Sequence, residues 1–471
     1  MSITSAFVSS RSGLTATAAR SEVTANNIAN ADRAGYARRG LLLTSGPNGS
    51  GVQVTGLRRD VDGAMDRMHR QEMSRTATQD AVADGLKVYA ALLGAPGDPL
   101  SIPGRITALQ SRLDEFSNDP AQPALQRAAL DAAAAVATEL NRTSATLTET
   151  AANTSAGIKN DVDVLNRLLS EASELSQKIA LGTDGTRDSA MLEDSLAQRL
   201  DEISEIMDLR VQRNADGGIS VYTAGGAPLV EGRIIHPVTF SEGDGKLFAG
   251  AAEITPGNPT ARGFEEGRLA GRIHLLNDIL PRMQVQLDEA ARMLVVSFTD
   301  ADTTLTPGEP GLFTDSGAAF DPLAASGLAA RIAINEAVRG PGGDSLWRMR
   351  DGMEAPVPGP ESDSQQVERM ISAFNVVQTL SPEAGLGAQA RLTDFIPDMT
   401  ADQQVARSSA QGRAEALRAG AQALETARLG FQGVNIDDEL QQLASIEQSY
   451  AANAVMMRTL GEMLDTLLNA V

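Results

Sequence analysis

Three histidines, His69, His236 and His274, are the only imidazoles in the chain, and there is no cysteine. A histidine metal site would need such groups at ligand-like spacing, as in His-Glu-x-x-His. The three histidines are far apart in sequence and read as surface or core groups. Disulfides, thiolate catalysis and cysteine-built zinc sites are excluded. Asp184-Gly185-Thr186-Arg187-Asp188 resembles a calcium loop superficially but lacks the closing Glu and the EF-hand spacing, so it reads as a turn. Gly340-Pro341-Gly342-Gly343-Asp344 is glycine-rich but has no Lys-Ser/Thr after it, so it is not a phosphate loop. No Gly-x-Ser-x-Gly elbow is present. Carboxylate pairs such as Glu265-Glu266 and Asp437-Asp438 are what 61 acidic residues produce by chance. The expectation is therefore no catalytic residue, no metal site and no cofactor.

The stronger pattern lies at the chain ends. In Val434 to Val471 a seven-residue spacing aligns Ile436, Leu443, Tyr450, Met457, Leu464 and Val471. A second row, Leu440, Glu447, Ala454, Gly461 and Leu468, is weaker, and Ile446, Leu460 and Leu467 widen the stripe. Such spacing favours a helix that coils around another helix. At ~1.5 Å per residue it is on the order of 55 Å long. The first segment, Met1 to about Asn30, repeats the character in dilute form, with Ile3, Phe7, Leu14, Ala18 and Ile28 as a thin apolar face. Neither helix buries its stripe alone, so each asks for a partner, the other end or copies of the chain. Residues 1–39 carry net +3 and residues 434–471 net −5, which favours pairing of the ends.

Composition sets the bounds. At 471 residues the chain has room for two to four domains. Aromatic residues make up only 3%, so Ala, Leu and Val must fill the core, which suits long packed helices. A net charge of −21 disfavours nucleic acid and anionic membrane surfaces. No run of ~18 apolar residues could span a bilayer, and no basic segment followed by an apolar core marks a cleavable signal.

Along the chain, a first helix is expected from about Thr4 to Ala31, with Asn26, Asn27 and Asn30 at its end and Gly35 breaking the pattern. Leu41–Thr44 and Val52–Thr55 read as a hairpin around the loop Gly46 to Gly51. Helices are expected over 60–93, 105–118, 125–181 and 189–209, with Gly157 as the flaw in the third. From Val211 to Arg262 helical periodicity disappears and Gly and Pro are frequent, which marks a small β-rich insert. Helix resumes over 267–299, kinked or broken at Pro281. Shorter helices are expected near 328–338 and 366–380, and a final pair over 400–427 and the terminal segment. The fold class is mainly α, with paired terminal coiled-coil helices, a long-helix bundle and a smaller β-rich or mixed insert. The divisions are 1–35 plus 434–471 as a terminal axial domain, 36–210 plus 262–433 as a helical-bundle domain with a mixed segment near 300–397, and 211–261 as the insert.

The stretch Asn26-Asn27-Ile28-Ala29-Asn30, followed by Gly35-Tyr36, resembles the N-terminal signature of the bacterial flagellar axial proteins: rod, hook and hook-associated subunits. Gly51-Val52-Gln53-Val54-Thr55-Gly56-Leu57 is similar to the opening of the hook-associated junction subunits. So, at the far end, are Phe431-Gln432-Gly433-Val434-Asn435-Ile436-Asp437-Asp438, Gln448-Ser449-Tyr450-Ala451-Ala452 and Glu462-Met463-Leu464-Asp465-Thr466. Asn435 before three acids also suits a helix start. The resemblance covers roughly the first 75 and last 45 residues; the middle matches only in organisation.

The resemblance implies a structural subunit joining hook to filament, exported unfolded through the flagellar type III channel and located outside the cell in the flagellum. Absence of cysteine suits that passage. The implied partners are copies of the chain, the hook protein, the second junction protein, and a cytoplasmic export chaperone on the C-terminal helix, with no nucleic acid and no membrane insertion. The residues expected to carry axial packing are Ile3, Phe7, Leu14, Ile28, Ile436, Leu440, Leu443, Tyr450, Met457, Leu464 and Leu468. The signature positions are Asn26, Asn27, Ile28, Asn30, Gly35, Tyr36, Gly433 and Asn435. Another axial subunit (rod or hook protein), a wall hydrolase on an axial scaffold and a cytoplasmic coiled-coil scaffold are the alternatives.

Overall fold

The computed structural model describes the chain except residues 1–2, 34, 47–50, 96, 183–185, 216, 340–344 and 470–471, and except the side chains of Ile3 and Leu467. Val471, the Gly340–Asp344 loop, Asp184 and Gly185 lie outside the described residues. The helices in the first half are α1 (Ile3–Ala29), α2 (Gly63–Gly85), α3 (Lys87–Leu93), α4 (Ile102–Asn118), α5 (Pro123–Leu181) and α6 (Arg187–Ile206). Strands β1 (Arg39–Ser45) and β2 (Val52–Arg59) lie between α1 and α2. After α6 come β3 (Leu209–Arg213), β4 (Ile219–Thr223), β5 (Pro228–Glu231), β6 (Ile234–Ile235), β7 (Val238–Ser241), β8 (Lys246–Ala249) and β9 (Ala252–Glu253). Then follow α7 (Arg268–His274), α8 (Leu280–Ala301), β10 (Phe313–Asp315), α9 (Leu328–Arg331), β11 (Ile332–Ile334), α10 (Arg348–Asp351) and α11 (Gln365–Ala373). Strands β12 (Gln378–Thr379) and β13 (Gln389–Ala390) precede the last two helices, α12 (Leu392–Gln432) and α13 (Ile436–Asn469). Among the described residues no helix is long and apolar enough to cross a membrane.

The chain forms two compact units. One comprises Met1–Thr78, Asn160–Ala270 and Ala414–Val471; the other comprises Gln79–Lys159 and Gly271–Arg413. The second is built around α8, which is buried on nearly every side. Met283, Leu287, Ala290, Ala291, Leu294 and Phe298 pack with Leu109 and Leu113 of α4, Val136 and Leu140 of α5, and Met370 of α11. Phe298 meets the edges of Phe313 and Phe374 at ring-centre distances of 5.0 and 5.4 Å, the arrangement aromatic quadrupoles favour. The buried polar residues of α8 are satisfied. Asp288 accepts from the backbone N–H groups of Gly327 and Ala329 at 2.7 and 2.9 Å. Burial pushes its carboxyl above the usual range, and those bonds oppose the shift. Gln286 donates to Asp402 and accepts from Gln403, which in turn accepts from the Tyr89 hydroxyl.

Several expectations are corrected here, each by tertiary packing. The segment 60–93 is two helices, because α2 stops at Gly85, whose missing Cβ leaves room for Leu275. Gly157 is no flaw in α5: the helix runs through it, and the Arg272 guanidinium covers the bare backbone and donates to the Gly157 carbonyl at 2.6 Å. At Pro281 the helix neither stops nor kinks by simple loss of one bond. Leu275–Ile279 widen into a π-helical turn, and Pro281 stands in the first turn of α8, where its missing N–H costs least. The segment near 328–338 is one turn of α9 and then β11, because Ile332–Ile334 pairs with Phe313–Asp315. The segment near 366–380 is α11 and then β12, paired with β13.

In the first unit, β1 and β2 form the hairpin with a bulge between Leu42 and Leu43. The insert is a four-stranded antiparallel sheet in the order β3-β4-β5-β6, beside a three-stranded one, β7-β8-β9. The C-terminal part of α5 anchors both. Asn166 donates to the Val238 carbonyl and accepts from its N–H, each at 2.8 Å, and Ser176 accepts from Ile219 N–H. Replacing Phe298 with Ala should destabilise the second unit by about 3–5 kcal/mol; thermal unfolding of the variant measures it, and an unchanged melting temperature would contradict the central role of α8.

Candidate assembly site at the chain ends

Helices α1 and α13 pair antiparallel. Asn27 meets Glu439, and fourteen residues back along α1, Gly13 meets Asn453, fourteen residues forward along α13. The facing row of α1 is made of small polar side chains: Ser10, Thr17, Thr24 and Asn27 are buried. Thr17 donates back to its own helix, so its hydroxyl stays bonded inside the seam. From α13 the seam takes Glu439, Ile446 and Leu460, all buried, with Leu443, Asn453 and Met457 half-buried. The second seam row therefore lies three residues after the first, not four. Leu440, Glu447, Ala454 and Leu468 are exposed and Gly461 is half-buried. Alternating steps of three and four keep a helix stripe on its partner, and a step of four from Ile436 turns the side chain outward.

The residues expected in axial packing divide accordingly. Phe7, Leu14, Ile28, Leu443 and Met457 are half-buried beside the seam. Ile436, Leu440, Tyr450, Leu464 and Leu468 are exposed, Leu468 to 72%. The backbone of Ile3 opens α1.

One polar cluster joins the pair to the rest of the unit. The amide of Asn27 uses its full capacity. Its Oδ1 accepts from the Tyr36 hydroxyl at 2.9 Å and from Arg39 N–H at 3.1 Å. Its Nδ2 donates to the Arg39 carbonyl at 3.0 Å and to Glu439 Oε2 at 3.2 Å. Glu439, only 1% exposed, takes Arg38 Nε at 2.7 Å on its other oxygen, and this bond raises the Arg38 guanidinium above its ordinary value. Arg38 N–H donates to the Gln432 carbonyl at the end of α12. Gly35 turns the chain with φ +76°, where other residues are strained. That turn brings Tyr36 back onto Asn27 and lets Arg39 stack on the Tyr36 ring at 4.7 Å. Asn26 and Asn30 donate to carbonyls of the same helix end, Glu22 and Asn26. Gly433 ends α12 with its N–H on the Leu429 carbonyl, where a Cβ would collide at 2.3 Å. Asn435 then caps α13 by accepting from Asp437 N–H at 3.0 Å.

A layer of ion pairs backs this cluster. Asp194 takes Arg39 at 2.9 Å and Arg59 at 2.7 Å. Asp201 takes Arg70 at 2.6 Å and Arg428 at 3.1 Å. Glu425 takes Arg428 at 2.7 Å and stands 3.3 Å from His69 Nε2. A cavity of about 450 Å³ opens here, walled by Tyr36, Arg59, Asp66, Asp201, Arg428 and Leu429. Its charged walls already neutralise one another. Glu439, Arg38 and Arg39 entered the sequence reading only as part of the opposite net charges of the two ends, not as a buried cluster. A more specific signal was an acid, Glu439, standing in the row of Ile446, Leu460 and Leu467.

Two outcomes follow from this geometry. Asn27→Ala leaves the buried Tyr36 hydroxyl, Arg39 N–H and one oxygen of Glu439 without their partner, while Arg38 still holds the other oxygen, so it should cost about 2–3 kcal/mol and lower hydrogen-exchange protection across α1 and α13. Unchanged protection would contradict the role of the cluster. His69 is held below its ordinary value by burial first and then by Arg428. The unfolded chain therefore takes up this proton at higher pH than the folded one. Stability contributed by neutral His69 should fall as pH drops through its ordinary value of 6.5. A His69→Gln chain should lose less stability than wild type over that window in denaturant titrations; equal losses would refute the assignment.

The geometry accords with comparisons to known proteins. The family model described as the flagellar hook-associated protein FlgK helical domain matches residues 92–304. The flagellar basal body rod FlgEFG protein C-terminal model matches 427–470, and the flagella basal body rod protein model matches 8–36. Flagellar hook-associated protein 1 of Bacillus subtilis (strain 168) is 22% identical over 520 aligned positions, taking in 100% of this chain and 99% of the relative. The solved flagellar hook junction protein FlgK from Burkholderia pseudomallei is 17% identical with a TM-score of 0.43, covering 53% of this chain and 47% of that one. The end segments match models shared with rod proteins, whereas the middle matches the hook-associated helical domain, so the rod or hook alternative is not favoured. The chain is similar to FlgK-type flagellar hook-associated proteins over its middle and to flagellar rod families at both ends, which supports a structural subunit of the hook–filament junction.

Proposed function

We propose that this subunit is exported unfolded and without a cleaved signal through the flagellar type III channel, and that it completes its ends only on joining the junction outside the cell. One observation carries this reading. Helix α13 has α1 on one side, yet it presents Ile436, Leu440, Tyr450, Val455, Met456, Met463, Leu464 and Leu468 to solvent. So many large apolar side chains left exposed along one helix point to surface that a partner covers. In the assembly, copies of the chain cover it, with the hook protein on one side of the junction and the second junction protein on the other. Before export, a cytoplasmic chaperone covers the same C-terminal stripe. Residues 1–35 with 434–471 form the axial part, 36–210 with 262–433 the helical middle, and 211–261 the β insert. The role is structural, and turnover of peptidoglycan by the purified chain is not expected.

The cleanest test uses residues that are exposed in the single chain. Replacing Leu440 and Leu464 with Asp should change the melting temperature little, since such surface substitutions usually stay within about 0.5 kcal/mol. The same subunit should fail to enter the junction. Normal filament growth on it would sink the reading. Limited proteolysis of the monomer should remove both ends before a core near residues 40–430 is cut.

A further inference from the structure

With no cysteine, the oxidisable sulfur of this chain is entirely in its 15 methionines. The fold sorts them sharply. Met207, Met283, Met293, Met349, Met353, Met370 and Met399 are buried. Met68, Met191, Met456 and Met463 are exposed, Met456 to 54% and Met463 to 51%. Two of these four stand seven residues apart on α13, so their thioethers share one face of that helix. A third, Met457, is half-buried beside them. Thioethers suit such a face because they are apolar and adaptable, filling gaps when another surface closes over them. They are also the groups a hydroperoxide reaches first in the free subunit.

We propose that Met456 and Met463 form a peroxide-sensitive modification site that governs whether a free subunit can assemble. The sulfur lone pair attacks the distal peroxide oxygen, the O–O bond breaks, and a sulfoxide forms; hydrogen peroxide leaves as water. The thioether is oxidised by two electrons and the peroxide is reduced by two. The product is polar, and a buried polar group without a partner opposes closure of an apolar interface. Both side chains point to solvent in the single chain, so the fold itself tolerates the change. Once neighbours cover α13, the same sulfurs are shielded. The inference rests on the assembly reading above for the cover, while the reactivity pattern stands on exposure alone.

The test treats the full-length monomer with hydrogen peroxide and maps the added oxygen by peptide mass spectrometry. Met68, Met191, Met456 and Met463 should be modified before the buried methionines. Treated subunit should keep its melting temperature but enter junctions on cells lacking the native subunit about tenfold less well, the loss expected from ~1.4 kcal/mol at an interface. A Met456→Leu/Met463→Leu subunit should resist the same treatment although Met68 and Met191 are oxidised. Methionine sulfoxide reductase should restore the wild-type subunit. Undiminished entry of the oxidised wild type, or equal loss by the double variant, would overturn the proposal. If the Leu440→Asp/Leu464→Asp subunit assembles normally, it is the assembly reading that fails, whatever the peroxide result.

Discussion

A single side-chain amide holds the chain ends in place. Asn27 spends both donors and both acceptors inside a buried cluster, on Tyr36, on the Arg39 backbone and on Glu439. A carboxylate as enclosed as Glu439 is tolerable only with such partners, and Arg38 supplies the countercharge. Through these bonds the last turn of α1, the turn at Gly35, the start of the hairpin, the end of α12 and the first turn of α13 become one structural point. The outer ion pairs at Asp194, Asp201 and Glu425 extend it into α6 and α2.

That point explains an inversion in the terminal pair. The seam inside the chain is small and polar on the α1 side, while many of the large apolar side chains of α13 face out. A pair built for its own stability would place them the other way round. A closely approached seam of Ser, Thr and Gly gains little from hydrophobic burial and depends on the polar cluster at one end. The surface left outside belongs to neighbours. The second unit has the opposite design. Its α8 buries apolar groups on nearly every side and satisfies Asp288, Gln286 and Glu289 within the same core.

Long helices were legible because their apolar periods persist, as in α5 and α13, and the β insert was legible because that period vanishes between Val211 and Arg262. Boundaries set by distant contacts were not. Leu275 against Gly85 divides α2 from α3, and Arg272 over Gly157 keeps α5 whole. Ile332–Ile334 leaves the helical state because Phe313–Asp315 is there to pair with it. A local window contains neither partner.

At the chain ends the division is the same. The sequence by itself determined that both termini are helices with incomplete stripes, that the junction carries Asn26, Asn27 and Asn30 before Gly35, and that no cysteine is present. Only the tertiary structure decided which of two rows faces the partner, because each row mixes apolar residues with an acid, Glu439 in one and Glu447 in the other, and only the groups on the second helix select between them. It alone turned Glu439 from one acid among many into the buried partner of Asn27 and Arg38. Those residues are some 400 positions apart in the chain, and their meeting depends on a complete fold.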